Sequence, residues 1–257
     1  SDDEVRVELA ALYREMGQAQ VGRGILATGI TQVANSPLLQ QEMGRFLWED
    51  GDAQRALEYF SKALDGDEHL ALARRYRALI YSAQGEYKKA LAAYGELAER
   101  QPQDASVRVS MGIVHSQLGD LAAAEKAFQQ ALALGGAGGD AALKLGGLYM
   151  HQRRLRAAVK IFKEAVELHG DNAELHAALG DVYRQLGLLG AAIEAGERAV
   201  ALEPERALWS YHLATTYERA YPQRAQAEWR RYAELAAGDA REAQRLREVK
   251  NKGEEQP

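Results

Sequence analysis

Apolar side chains recur at three- and four-residue steps along most of this chain, and short polar stretches bearing glycine interrupt them at regular intervals. Spacing of that kind predicts amphipathic helices joined by tight turns. One small residue returns at a constant step of 34: Gly44, Ala78, Gly112, Gly146, Gly180 and Ala214. A second series keeps the step at an offset of twelve, with Ala56, Ala90, Ala124, Ala158 and Ala192. Four residues later the first four of these have an aromatic, Phe60, Tyr94, Phe128 and Phe162, and three further on stand Ala63, Leu97, Ala131, Ala165 and Ala199. Three residues after the first series come Leu47, Tyr81, His115, Tyr149, Tyr183 and Tyr217, so small and bulky side chains share one helical face. Gly51-Asp52, Gly85-Glu86, Gly119-Asp120 and Gly187 fall midway, where a turn must join two antiparallel helices, and Pro102 and Pro204 fall near unit ends. Each 34-residue stretch therefore predicts one helical hairpin.

The period and its fixed small, aromatic and alanine positions resemble the tetratricopeptide-repeat family. Leu145-Gly146 with Tyr149, Ala158, Phe162 and Ala165 matches its pattern closely, as do Leu179-Gly180, Tyr183, Ala192, Ala199 and Pro204. The resemblance implies an all-α, right-handed superhelical solenoid, with units at 37–70, 71–104, 105–138, 139–172, 173–206 and 207–240. The second helix of the last unit is expected one residue out of register, around Ala225 and Trp229. Residues 3–36 keep Leu9, Ala10, Tyr13 and Gly17 in register but have Gly22, Leu26 and Gly29 where Ala, an aromatic and Ala were due, and read as a degenerate first unit. A charged capping helix is expected at 239–250, since a solenoid must cover its last apolar face, with a disordered tail at 251–257.

Composition narrows the function more than the fold. A net charge of −5 with both signs interspersed offers no basic footprint, so nucleic acid is not an expected partner. There is no cysteine, which removes disulfides and thiolate chemistry. No stretch is long and apolar enough to span a bilayer. The chain begins at Ser1-Asp2-Asp3-Glu4 without methionine, which is compatible with a targeting segment or a lipid-anchored cysteine upstream. The six histidines, His69, His115, His151, His169, His176 and His212, show no metal-protease spacing, and His115, at a Tyr position, reads as a core or half-buried side chain. Gly22-Arg23-Gly24 lacks the preceding strand and lysine of a phosphate cradle. No enzyme, metal or cofactor is expected.

In the family, the first helix of each unit lines the concave surface, so the resemblance implies binding on the non-core face of those helices. Spacing of i, i+4 and i+7 places Leu143, Gly147 and Met150 there in the fourth unit, Val109, Ile113 and Ser116 in the third, and Arg75, Leu79 and Ser82 in the second. Polar rims follow from Arg45 on one side and from Asp181 and Arg184 on the other. The expected partner is an apolar or amphipathic segment of another protein, with a second copy of the chain or the array's own terminal helix as alternatives. The lysine and asparagine clamp by which one subgroup holds chaperone tails has no counterpart, because the corresponding positions are Arg45, Leu79, Ile113, Gly147, Asp181 and Thr215. Unit count and length also resemble the pilotin-type lipoproteins of type IV pilus assembly, which would place the chain in the periplasm or at the outer membrane, the cytoplasm being the alternative. A homo-oligomeric scaffold and a docking region of a larger enzyme are the other readings. Two local departures carry expectations of their own. Gly196 replaces an aromatic, a gap that Trp209 or Leu208 should fill, and Gly135 to Gly139 reads as a permissive loop or a hinge.

Overall fold

The computed structural model describes residues 2–33, 35–135, 139–242 and 244–247. Among them are fourteen helices of twelve to fourteen residues and no strand. They form two compact units, Ser1–Gly136 and Ala137–Pro257. The first contains α1 (Asp2–Glu15), α2 (Ala19–Gln32), α3 (Pro37–Glu49), α4 (Ala53–Gly66), α5 (Ala71–Ala83), α6 (Tyr87–Arg100), α7 (Ala105–Gln117) and α8 (Leu121–Leu134). The second contains α9 (Asp140–His151), α10 (Leu155–Leu168), α11 (Ala173–Gln185), α12 (Leu189–Leu202), α13 (Ala207–Ala220) and α14 (Pro222–Leu235). The fold is an all-α solenoid of helix-turn-helix repeats.

Local chemistry explains where helices begin and turn. Asp52, Asp104, Asp120 and Asn172 accept hydrogen bonds from backbone N–H groups of the helices that follow them, and Ser36 caps α3 just before Pro37. Within the hairpins one residue must take a left-handed backbone, and Gly17, Gly51, Gly85, Gly119 and Gly187 do so with φ between 73° and 84°. The fourth full unit has Arg153 at the same register, held at φ 60°, the one non-glycine residue with positive φ among the described residues. The last hairpin dispenses with this turn: Tyr221 alone links α13 to α14, and Ala225, Trp229 and Tyr232 consequently stand one residue ahead of the 34-step.

Helix pairs close on the small-to-aromatic contact. A Cβ added at Gly44 would lie 2.9 Å from the Phe60 ring, and one at Gly112 or Gly146 would run still closer into Phe128 or Phe162. Each of these rings is buried. The degenerate hairpin uses glycine differently. Gly22 and Gly29, both buried in α2, let that helix lie against the Phe46 ring and Leu39 of α3, where a Cβ would come within 2.8 and 2.9 Å. Gly22 is thus a packing position, with Ala10 carbonyl oxygen also 2.8 Å from its would-be Cβ.

Gly196 corrects an expectation. The atoms nearest a Cβ there belong to Leu213, with its Cδ1 at 3.1 Å, so Leu213 rather than Trp209 takes the missing ring's place. Trp209 is buried nearby on α13, its indole N–H donating to Glu203 at 2.9 Å with the Arg206 guanidinium over its face. Between Gly196 and Trp209 remains a recess of about 10 Å³, room for roughly one water.

Behind α14, the Tyr232 hydroxyl donates to Glu242 and the Arg245 guanidinium stands over the Tyr211 ring, so the segment through Arg247 covers the last hairpin. A helical turn occupies 244–247. Residues 239–242 of the expected capping helix form a turn and not a helix, so the cap is shorter than expected. Residue 243, residues 248–250, the tail at 251–257 and most of the Gly135 to Gly139 loop lie outside the described residues.

Candidate binding surface on the first helices

Within each unit, every helix packs against the next, and the more extensive contacts between helices two apart all join odd-numbered ones: α1 to α3 and α3 to α5 in the first unit, α9 to α11 and α11 to α13 in the second. Odd helices thus approach one another more closely than even ones, which makes theirs the inner side of the curve in each unit. This is the side on which the sequence places its candidate residues.

In the first unit, Arg45, Arg75, Leu79, Val109 and Ile113 occupy α3, α5 and α7. Leu79 is 38% exposed and Ile113 half-buried. Val109 differs from expectation: at 7% exposure it is a core side chain of α7 and has little surface to offer a partner. The i, i+4 spacing puts it on the correct stripe, but packing of the neighbouring helices covers it. Arg75 is engaged internally. Its guanidinium donates to the Asp104 carboxylate at 2.6 Å and the Ser106 hydroxyl at 2.8 Å, tying α5 to the start of α7. Arg45 pairs with Glu42 at 3.3 Å and lies 3.8 Å from Glu49, both on its own helix. Arg14 of α1 joins these carboxylates at 3.0 and 3.6 Å and stacks over the Phe46 ring. Burial raises the pKa of Glu42, and the Arg14 charge and hydrogen bond offset this only in part.

In the second unit, Leu143, Gly147 and Met150 lie on α9, with Asp181 and Arg184 on α11. Leu143 and Met150 are half-buried; Gly147 is exposed, and an added Cβ there would meet nothing within 4 Å. Asp181 receives a hydrogen bond from His212 Nδ1 at 2.9 Å, linking α11 to α13, and another from Arg184 at 3.0 Å. Burial alone would raise the Asp181 pKa, but the bonds and charges of His212 and Arg184 outweigh it and hold the carboxyl below its usual range. Asp104 behaves alike: Ser106 and Arg75 overcome its desolvation.

The charged candidates therefore serve as ties within and between successive first helices, while the apolar ones other than Val109 keep accessible surface. Sequence spacing found the stripe but not these pairings, which join residues about one repeat apart, 29 positions in Arg75–Asp104 and 31 in Asp181–His212. Ser82 and Gln117 repeat the device between α5 and α7 at 3.3 Å.

Nothing catalytic assembles among the described residues. No group of three or more His, Cys, Asp or Glu side chains there could hold a metal ion, and no described helix is long and apolar enough to cross a membrane. His115 is half-buried, as its Tyr register suggested, and His176 reaches the Gly170 carbonyl at 3.0 Å.

Family models described as tetratricopeptide repeat match residues 47–109, 109–173 and 148–207, which together are more than half of the chain. No curated protein matches by sequence. Solved structures resemble it in fold. A tetratricopeptide repeat protein from Parabacteroides merdae has a TM-score of 0.69 at 20% identity, over 96% of this chain and 98% of that one. The pilF protein of Pseudomonas aeruginosa has a TM-score of 0.65 at 18% identity, over 83% and 97%. A chain of the APC/C hetero-tetramer Cut9–Hcn1 has a TM-score of 0.61 at 21% identity over 93% of this chain, which spans only 48% of that longer one. With the 34-residue step, the helix pairs and the family matches in agreement, this chain belongs to the tetratricopeptide-repeat family.

Proposed function

We propose that the chain is a non-catalytic scaffold that holds an apolar or amphipathic segment of another protein against its first helices. Tetratricopeptide-repeat folds generally act as protein–protein interaction scaffolds. The observation that carries the reading here is the division of labour on those helices. Arg45, Arg75, Asp181 and Arg184 are bound into intramolecular ion pairs, whereas Leu79, Ile113, Leu143 and Met150 keep apolar surface that no intramolecular contact fully covers. Accessible apolar side chains framed by satisfied charges suit recognition by shape and burial, with selectivity from the polar rim. Gly147 admits close approach of a partner's backbone.

The test is a pull-down from the source organism's extract with wild type and an Ile113→Asp, Leu143→Asp double variant of unchanged helicity and melting. Loss of a specific partner is expected; an identical partner set would move binding away from these helices. The finer form of the reading is a bacterial envelope assembly factor of pilotin type, at the periplasmic side of the outer membrane. Likeness in fold to pilF of Pseudomonas aeruginosa supports it. Fractionation of the native gene product decides this form: envelope residence is expected, and a purely cytoplasmic product would remove it while leaving the scaffold reading intact.

A further inference from the structure

One apolar stripe of the first unit belongs to neither its core nor its inner side. Val5, Leu9 and Leu12 on α1, with Met16 just past its end, follow i, i+4, i+7, i+11 spacing and are 61%, 40%, 52% and 60% exposed. Their register explains the stripe. Three repeats on, the same positions are Val107, Met111 and Val114 of α7 and Leu118 at its C-cap, nearly the same side chains. Val107 and Val114 are 0% and 1% exposed, because α6 covers them with Ala90, Ala93, Tyr94 and Leu97. Leu39, Met43 and Phe46 of α3 receive α2 in the same way, and Trp209 and Leu213 of α13 receive α12. Leu118 stays 44% exposed, so the seat proper at α1 is Val5, Leu9 and Leu12. These three positions form the acceptor by which a first helix takes the second helix of the preceding hairpin.

From this continuity with the repeat interface, we infer that the Val5–Leu9–Leu12 face of α1 is a docking site for a single amphipathic helix of a partner protein, one with small and aromatic apolar side chains and basic flanks. Charge selects the flanks. Exposed Glu8 and Glu15 run along one edge of the stripe, while Asp2, beyond Val5 near its other edge, is paired with Arg6 at 2.9 Å. A second copy is a poor occupant in either arrangement. Two α1 stripes face to face would bring their glutamates together, and the last hairpin is already engaged by its own following segment, with Glu242 at Tyr232 of α14 and Arg245 over Tyr211 of α13.

The probe is a labelled, end-blocked peptide of residues 86–101, the α6 helix that covers the sister face on α7, read by fluorescence anisotropy against the full chain. A second peptide carries Glu96→Lys and Glu99→Lys. Saturable binding is expected, tighter for the second peptide, with that preference fading as salt screens it. The Leu9→Glu, Leu12→Glu variant alters exposed positions only and should melt as wild type does, yet weaken binding about tenfold or more. Absence of binding, or binding indifferent to that variant, overturns the site. Equal affinity for the two peptides overturns the basic character of the partner. Self-association of wild type in sedimentation velocity that the variant abolishes overturns the choice of partner in favour of a second copy.

Discussion

At the scale of single residues, the fold rests on a few positions where backbone or side-chain volume leaves no latitude. Phe128 is 2% exposed and closes α7 on α8 over Gly112. Its truncation leaves a cavity between two helices that cannot collapse, so Phe128→Ala should cost roughly 3–5 kcal/mol in urea unfolding. Unchanged melting would contradict the small-to-aromatic register. Arg153 offers the opposite case. It holds a left-handed backbone in a turn where the equivalent residue elsewhere is glycine, a conformation that costs a side-chain-bearing residue about 1–2 kcal/mol. Glycine recovers most of that strain and loses part of the gain to unfolded-state entropy, so Arg153→Gly should stabilise by roughly 0.5–1 kcal/mol. The turn itself was legible from Gly51, Gly85, Gly119 and Gly187. That arginine takes the same conformation was not, because no local preference calls for it and the flanking helices impose it.

At the scale of helices, charge pairs stitch first helices together across a repeat. Asp104 and Asp181 both have pKa values held below the ordinary 3.8, by Ser106 and Arg75 in one case and by His212 and Arg184 in the other, against the opposing effect of burial. A depressed folded-state pKa means the folded chain binds fewer protons than the unfolded chain. The stabilisation is therefore present above the unfolded pKa and lost as pH falls through the folded one. Asp181→Asn should destabilise by roughly 1–2 kcal/mol at pH 7, and the gap to wild type should narrow below about pH 4. Melting temperatures measured across that range check it; a gap independent of pH would mean that the carboxylate charge is irrelevant to the tie. Spacing placed Arg75 on the inner stripe and Asp181 at its rim, yet Arg75 is tied to the start of α7 and Asp181 to His212 of α13, ties that a pattern confined to one helix does not show.

At the scale of the molecule, a solenoid has no single core: each hairpin is stabilised by its neighbours, and a perturbation should decay along the array. Phe60 packs in the first unit against Tyr76, with ring centroids 5.1 Å apart. Phe60→Ala should raise amide exchange in α3, α4 and α5 and leave α13 and α14 unchanged, as read by hydrogen exchange with mass spectrometry. Uniform acceleration would show global coupling instead. The same nearest-neighbour logic underlies the two interaction surfaces proposed above: the inner sides of the odd helices, and at α1 an acceptor face of the kind that later hairpins fill from within.

By itself the sequence determined the period, the helix pairs, their turns and the facing of small residues against aromatics, because these follow from spacing along one strand of chain and from the conformational range of glycine. It also placed Leu79, Ile113, Leu143 and Met150 on the inner stripe. Only the tertiary structure decided which stripe residues stay accessible, since exposure is a property of what a neighbouring helix covers. Val109 is lost to the core by that cover, Leu213 takes the space at Gly196, and Val5, Leu9 and Leu12 stand open while the same register on α7 is shut beneath α6.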